Sequence, residues 1–309
     1  MRKLTLSVKA KAVFFTILAG ALWGTSFPII KLGLETIDPY TFVFWRFLVS
    51  SVTLFAVMLA LGKLKFDVPN KRLLVFLGVA NGVGYLLQYV GMPYTSAAKA
   101  ALFINLSAMW VAIMSPRLLG ETFSSKKTAG VVFGLLGVVL VSTNLDFASL
   151  SEGQFVGDAL LIISGIAWAV FMVYNKKLVM NSTTETFQSM TWVLLFTFLS
   201  IVPFMVLSGP GFFSLSVWGW LGVIWTAIVC WVIPYYLWLE GLKHLSASVS
   251  TVLLLSEIVI AVILSIIVLK EPITVFSTIG AFLIVVGIAL VSVQDKKATA
   301  SKTVSLPSA

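Results

Sequence analysis

Long apolar runs separated by short polar breaks make up almost the whole chain. A helix crosses the hydrocarbon core of a bilayer with about 20 mostly apolar residues. Runs of that length predict ten spans, at 12–33, 40–61, 72–92, 96–117, 126–144, 156–177, 187–207, 216–239, 246–269 and 273–293. The breaks carry charges or turn formers, as in "ETIDPY", "GKLKFDVPNKR", "GETFSSKK" and "SGPGFFS". Those near 93–95, 240–245 and 270–272 are short, so the helices they join are expected to be tight antiparallel neighbours. The predicted fold class is an all-α polytopic membrane protein of ten transmembrane helices. Residues 1–11 form a short tail before the first span, and the polar tail 294–309 is expected to be disordered.

Composition agrees with this reading and excludes others. Only 11% of the residues are charged, against about 25% in soluble domains, and the mean hydropathy is +1.05. The net charge of +9 does not point to nucleic acid, because the charges sit at span ends rather than on one face. Seventeen of the 21 lysines and arginines fall on the side of the N-terminus, three on the other side (Lys31, Lys99 and Lys270), and Arg46 lies within a span. By the positive-inside rule both termini are cytoplasmic, in a multi-pass protein of the cell membrane. The N-terminus looks like a signal peptide, but its apolar run continues to about Ile30, too long for an h-region, and is expected to stay in the fold. Cys230 is the one cysteine and His244 the one histidine. No intrachain disulfide or Cys/His metal site can form, and no metal or cofactor is expected. Nothing resembles a catalytic constellation or a nucleotide-binding loop, so neither an enzyme nor an ATP-driven pump is predicted.

The two halves echo each other. "LWGTSFPIIK" at 22–31 returns as "AWAVFMVYNK" at 167–176, and Gly20, Trp23 and Lys31 match Gly165, Trp168 and Lys176 at a spacing of 145. A shift of 150 carries Tyr85, Gly91, Ser96 and Ala97 onto Tyr235, Gly241, Ser246 and Ala247. The same shift carries Glu121, Gly130 and Gly137 onto Glu271, Gly280 and Gly287. Leucine and valine matches are cheap between apolar segments; a glutamate followed by two glycines at equal spacing is not. The repeats are 12–144 and 156–293, five spans each. Five is odd, so the second copy enters the membrane from the opposite side. Inverted repeats of this kind are common in secondary transporters, where two interchangeable halves give two alternately open states.

The stretch "ALWGTSFPIIKLGLETIDPYTFVFWRF" (21–47) resembles the start of an EamA-type transporter of the drug/metabolite transporter superfamily. "LSEIVIAVILSIIVLKEPITVFSTIGAFLIVVGIALVS" (255–292) is similar to that family's closing helix pair, with Glu271 at its short acidic turn. The resemblance covers nearly the whole chain. It implies ten helices, a central cavity between the halves, and export or exchange of small metabolites, often amino acids. Two departures stand out. The second half lacks an equivalent of Pro28, and Ile258 follows Glu257 where a similar family position has proline.

Several residues are candidates for the site. Pro28 cannot donate a backbone hydrogen bond and frees the carbonyl of Gly24; the pair forms either a static kink or a gate hinge. Glu257 sits near the middle of the ninth span, where an acidic residue costs about 2.5–3.5 kcal/mol on insertion scales. It is read as a substrate-amine ligand, a proton-coupling carboxyl, or a protonated packing group. Ser26, Gln88 and Asn105 are further midspan polar groups, and Asn105 lies in the repeat partner of the Glu257 span. Trp23 and Trp168, related by the repeat, are expected to wall the cavity, with Tyr85, Tyr89, Tyr235 and Trp238. Such a wall suits an aromatic or ammonium-bearing substrate. The glycine runs at 130–137 and 280–287 imply close helix packing, with a homodimer contact as an alternative. The predicted function is export or exchange of small organic metabolites, amino acids or related compounds, by alternating access. The alternatives are a nucleotide-sugar or phosphate-ester carrier, which needs a basic cavity, and a membrane sensor without transport.

Overall fold

The computed structural model describes residues 7–120, 124–143, 145, 152–181, 185–209 and 211–292. Among these the protein is helical throughout, with no strands. The first half contains α1 (Val8–Gly24), α2 (Ser26–Gly33), α3 (Pro39–Ala60), α4 (Lys71–Gly91), α5 (Ala97–Asn105), α6 (Ser107–Leu119) and α7 (Ser125–Thr143). The second contains α8 (Glu152–Asn181), α9 (Thr186–Ile201), α10 (Val217–Ile224), α11 (Ile233–Leu242), α12 (Ala247–Leu253), α13 (Leu255–Val268) and α14 (Val275–Ser292). Among the described residues eight helical stretches are long and apolar enough to cross a bilayer. The spans predicted at 126–144 and 273–293 are α7 and α14, whose apolar helical portions, Thr128–Val141 and Val275–Leu290, are shorter. Glu121 and the tail 294–309 lie outside the described residues.

Local chemistry sets the helix starts. Asp38 caps α3 by accepting from the Thr41 N–H at 2.9 Å, and Pro39 follows in the first turn, where its missing N–H costs nothing. Ser96 caps α5 and Ser216 caps α10 in the same way. The first helix begins four residues earlier than its apolar run, at Val8. Ser7 supplies a cap to Ala10 at 3.2 Å, and the polar turn carrying Lys9 and Lys11 is drawn into the helix.

Three membrane stretches are broken. The first breaks at Thr25, between Gly24 and Ser26, one turn before Pro28. Its repeat partner α8 has no proline and runs unbroken for 30 residues. The fourth breaks at Leu106, where the Asn105 amide donates back to the Ala101 carbonyl at 2.9 Å and competes with the main-chain ladder. The ninth breaks at Leu254, beside a tight Glu257 N–H to Leu254 carbonyl bond of 2.9 Å. A fourth irregularity lies between α10 and α11, where Trp225–Val232 winds as a π-helix. Its widened turns leave carbonyls to outside donors. Ser50 of α3 bonds the Ala227 carbonyl at 3.1 Å and Arg46, one turn earlier, bonds the Cys230 carbonyl at 3.3 Å.

Glycines let α7 and α14 meet backbone to backbone. A Cβ at Gly137 would lie 2.5 Å from the Gly280 carbonyl oxygen, and one at Gly287 would lie 2.6 Å from that of Gly130. The glycine stripes thus face each other inside the chain, the close-packing geometry of small residues in membranes. A side chain there meets main chain that cannot turn aside. Gly137→Leu is expected to lower the thermal unfolding midpoint in detergent, at a cost of about 1–3 kcal/mol or more. An unchanged midpoint would mean that the pair is not packed this way.

Candidate functional site

The breaks in α1/α2, α5/α6 and α12/α13 turn polar groups toward the middle of the bundle. There α1, α2, α4, α5, α6, α8, α11, α13 and the π-helical segment line a cavity. It leaves about 60 Å³ open to the centres of water-sized molecules, room for a few waters or a small organic group in this conformation. Of the residues singled out in the sequence, Trp23, Ser26, Tyr85, Gln88, Asn105, Trp168, Trp238 and Glu257 line it. Tyr89 and Tyr235 stand behind the wall. The Tyr89 hydroxyl accepts from Arg46 at 2.9 Å, and the Tyr235 hydroxyl donates to Asn175 Oδ1 at 3.1 Å.

Aromatic rings form the wall as a connected set. Trp231 has its ring centroid 6.0 Å from Trp23, 5.7 Å from Trp168 and 5.0 Å from Tyr85. Trp238 lies 6.0 Å from Trp23 on the other side. Trp231 was not among the residues picked from the sequence. It is carried in by the π-helix, and its only sequence signal is its place one helical turn before Tyr235. The Trp238 indole donates to Ser250 at 2.9 Å, whereas the buried Nε1 atoms of Trp23, Trp168 and Trp231 find no protein acceptor.

Glu257 is the one acidic residue of the lining. It follows the break at Leu254 and lines the cavity together with Asn105 of the facing broken helix. Gly24 fixes the depth of this pair. A Cβ on Gly24 would sit 2.5 Å from the Glu257 carbonyl oxygen and 2.9 Å from Ile260 Cβ, so α1 rests directly on α13. Pro28 is buried in α2, four residues beyond. Among the described residues no lysine or arginine lines the cavity.

A cation stands immediately behind the wall. Arg46 is fully buried, and among the described residues no carboxylate lies within ion-pair distance of it. Its guanidinium donates to Tyr89, to Tyr85 at 3.2 Å and to the Cys230 carbonyl. It lies 4.4 Å over the Tyr85 ring, with Phe47, Tyr89 and Trp231 also within cation–π range. Neutral oxygens and ring faces therefore carry a charge that usually needs an acid.

A family model described as the EamA-like transporter family matches residues 10–143 and, a second time, residues 155–293. The chain belongs to the EamA-like transporter family. An uncharacterized transporter of Archaeoglobus fulgidus is 28% identical over 279 residues, covering 89% of this chain and 94% of the relative. The uncharacterized transporter YetK of Bacillus subtilis is 29% identical over 288 residues, covering 90% and 86%. A solved crystal structure superposes with a TM-score of 0.68 over 95% of this chain and 99% of its own length, at 20% identity, and so shares the fold. This EamA-like chain is a multi-pass membrane protein, and its relatives bear transporter names.

Proposed function

We propose that this EamA-like protein is a secondary transporter that exports or exchanges a small amine-bearing metabolite, an amino acid or related compound, by alternating access across the cell membrane. The observation that carries the reading is a single carboxyl, Glu257, in a cavity that it lines with Asn105, four tryptophans and Tyr85. An ammonium is attracted both by a carboxylate and by aromatic faces. A phosphate-bearing substrate is disfavoured, because no basic side chain lines the cavity.

The wider architecture in this reading is ten helices in two inverted five-helix repeats, with both termini in the cytoplasm. The double match of one family model, at 10–143 and 155–293, supports the duplication. The excess of lysine and arginine in alternate loops supports the orientation. Gly24 and Pro28, on either side of the break at Thr25, act as the gate hinge of the first helix.

Reconstitution tests this. Proteoliposomes loaded with a mixed panel of amino acids, amines, sugars and nucleosides are expected to release amine-bearing members selectively, and faster under an imposed pH gradient. Release of none of the panel, or of sugars and nucleosides only, would reject the reading.

A further inference from the structure

Two repeat-related lysines make the same contact in different places. Lys31 Nζ donates to the main-chain oxygens of Met92 at 2.9 Å, Pro93 at 3.1 Å and Thr95 at 2.7 Å. Lys176 Nζ donates to those of Leu242 and Leu245, both at 2.8 Å. The accepting turns correspond as well, since the shift of 150 carries Met92 and Thr95 onto Leu242 and Leu245. The next residue in each, Ser96 or Ser246, accepts from the N–H three positions on, at 3.1 Å from Lys99 and 3.2 Å from Val249. Snorkelling toward a membrane edge accounts for a lysine near a helix end. It does not account for two half-buried ammonium groups that each fill the carbonyls of one matching turn.

The two contacts lie at opposite ends of the bundle. Gly157, near the start of α8, packs against Gly91 and Tyr94 of the first turn. Lys176, near the end of α8, reaches the second. The intervening 19 residues rise about 28 Å at 1.5 Å each, close to the ~30 Å of a hydrocarbon core. Trp168 on α8 and Trp23 on α1 lie between, at the level of the cavity. Each lysine therefore ties the first helix of one half to the turn between α4 and α5, or between α11 and α12. Both turns adjoin helices that line the cavity, so an opening between the first helix and the turn at either end breaks these contacts. At the first end the turn is held further by Glu271, whose carboxylate accepts from the Ala97 and Ala98 N–H groups at 2.7 and 3.1 Å.

We propose that Lys31 and Lys176 are paired latches, each closing one end of the central cavity, and that the structure with both latches made is the occluded state between two open ones. The proposal rests on the alternating-access reading. An ammonium suits such a latch. It exchanges carbonyl oxygens for water when the end opens, so closure is firm but reversible.

The test reads each end separately by spin-label distances in nanodiscs, in a Cys230→Ser background. One pair carries labels at the exposed Glu35 and Pro93, the other at the exposed Met180 and His244. Lys31→Ala is expected to lengthen the 35–93 distance and leave the 180–244 distance in place; Lys176→Ala is expected to do the reverse. A shift of at least about tenfold in the closed-to-open ratio is expected, since each lost bond from a charged donor is worth that much. Lys31→Gln and Lys176→Gln, which keep a shorter donor, should shift the same pair by less. The proposal is overturned if a substitution leaves its own pair unchanged. It is equally overturned if both pairs move alike in the Ala and the Gln variants, which would mark a general loss of fold. No substrate enters the measurement. A protein that releases nothing from liposomes but shows both end-specific shifts would refute the substrate reading and keep the latches.

Discussion

Glu257→Gln is expected to abolish gradient-driven release and to weaken binding of amine-bearing substrates by roughly a hundredfold, about 3 kcal/mol from a charge-assisted hydrogen bond inside a water-poor cavity. The substitution is nearly isosteric and keeps a polar group at the same point of the cavity lining. It also removes an ionisable group from a mid-membrane position, where a charged form is costly. The thermal unfolding midpoint should therefore hold or rise while binding falls. That combination separates the roles open to this residue. A packing glutamate would give unchanged binding. A substrate ligand without a coupling role would lose affinity yet leave the residual flux as dependent on the pH gradient as before. Titration of the intrinsic tryptophan fluorescence supplies the binding measurement, because four tryptophans line the cavity with Glu257.

Arg46→Ala is expected to be the most destabilising single change, costing about 3–5 kcal/mol. Taking a guanidinium out of water costs several kcal/mol, and no carboxylate offsets that cost here. The compensation comes from three hydrogen bonds and several ring faces. Truncation discards it all and leaves a void among Phe47, Tyr85, Tyr89 and Trp231. It also strips a donor from the Cys230 carbonyl in the π-helical segment, which then tends to rewind as α-helix and rotate Trp231 out of the cavity wall. Arg46→Lys keeps the charge but replaces a planar fork of two spaced nitrogens with a single ammonium nitrogen, and should recover only part of the loss. Thermal unfolding in detergent, paired with the emission maximum of the tryptophans, checks both parts. A variant as stable as the native protein would show that the π-helix needs no support from α3.

Much of this molecule is legible along the chain. The apolar runs give the helices to within a few residues, because the bilayer imposes both length and composition. Asp38–Pro39 announces the start of α3, and the matched glycines announce the α7–α14 contact. Glu257 and Asn105 stand out because midspan polar groups are costly, and the fold does bring them together. Trp231 and Arg46 were harder to read. A membrane helix is apolar on every side, so periodicity does not say which face turns inward, and ten tryptophans compete for attention. A single π-helical segment then re-aims everything that follows it by a fraction of a turn.

The sequence by itself determined the kind of molecule. It specified apolar helices of bilayer length, a doubled pattern, a charge bias across the loops, and an acid placed where an acid is expensive. These follow from one-dimensional quantities such as hydropathy, spacing and charge position. The tertiary structure alone decided which rings enclose the cavity, that Tyr89 and Tyr235 stand behind it, and that Arg46 is held by neutral groups. It also decided that Lys31 and Lys176 close matching turns at opposite ends. Those outcomes depend on helix rotation and on breaks at Thr25, Leu106 and Leu254. The rotations are settled by packing and hydrogen bonds between helices far apart in the chain, and the breaks by single local bonds that the run of apolar residues does not display.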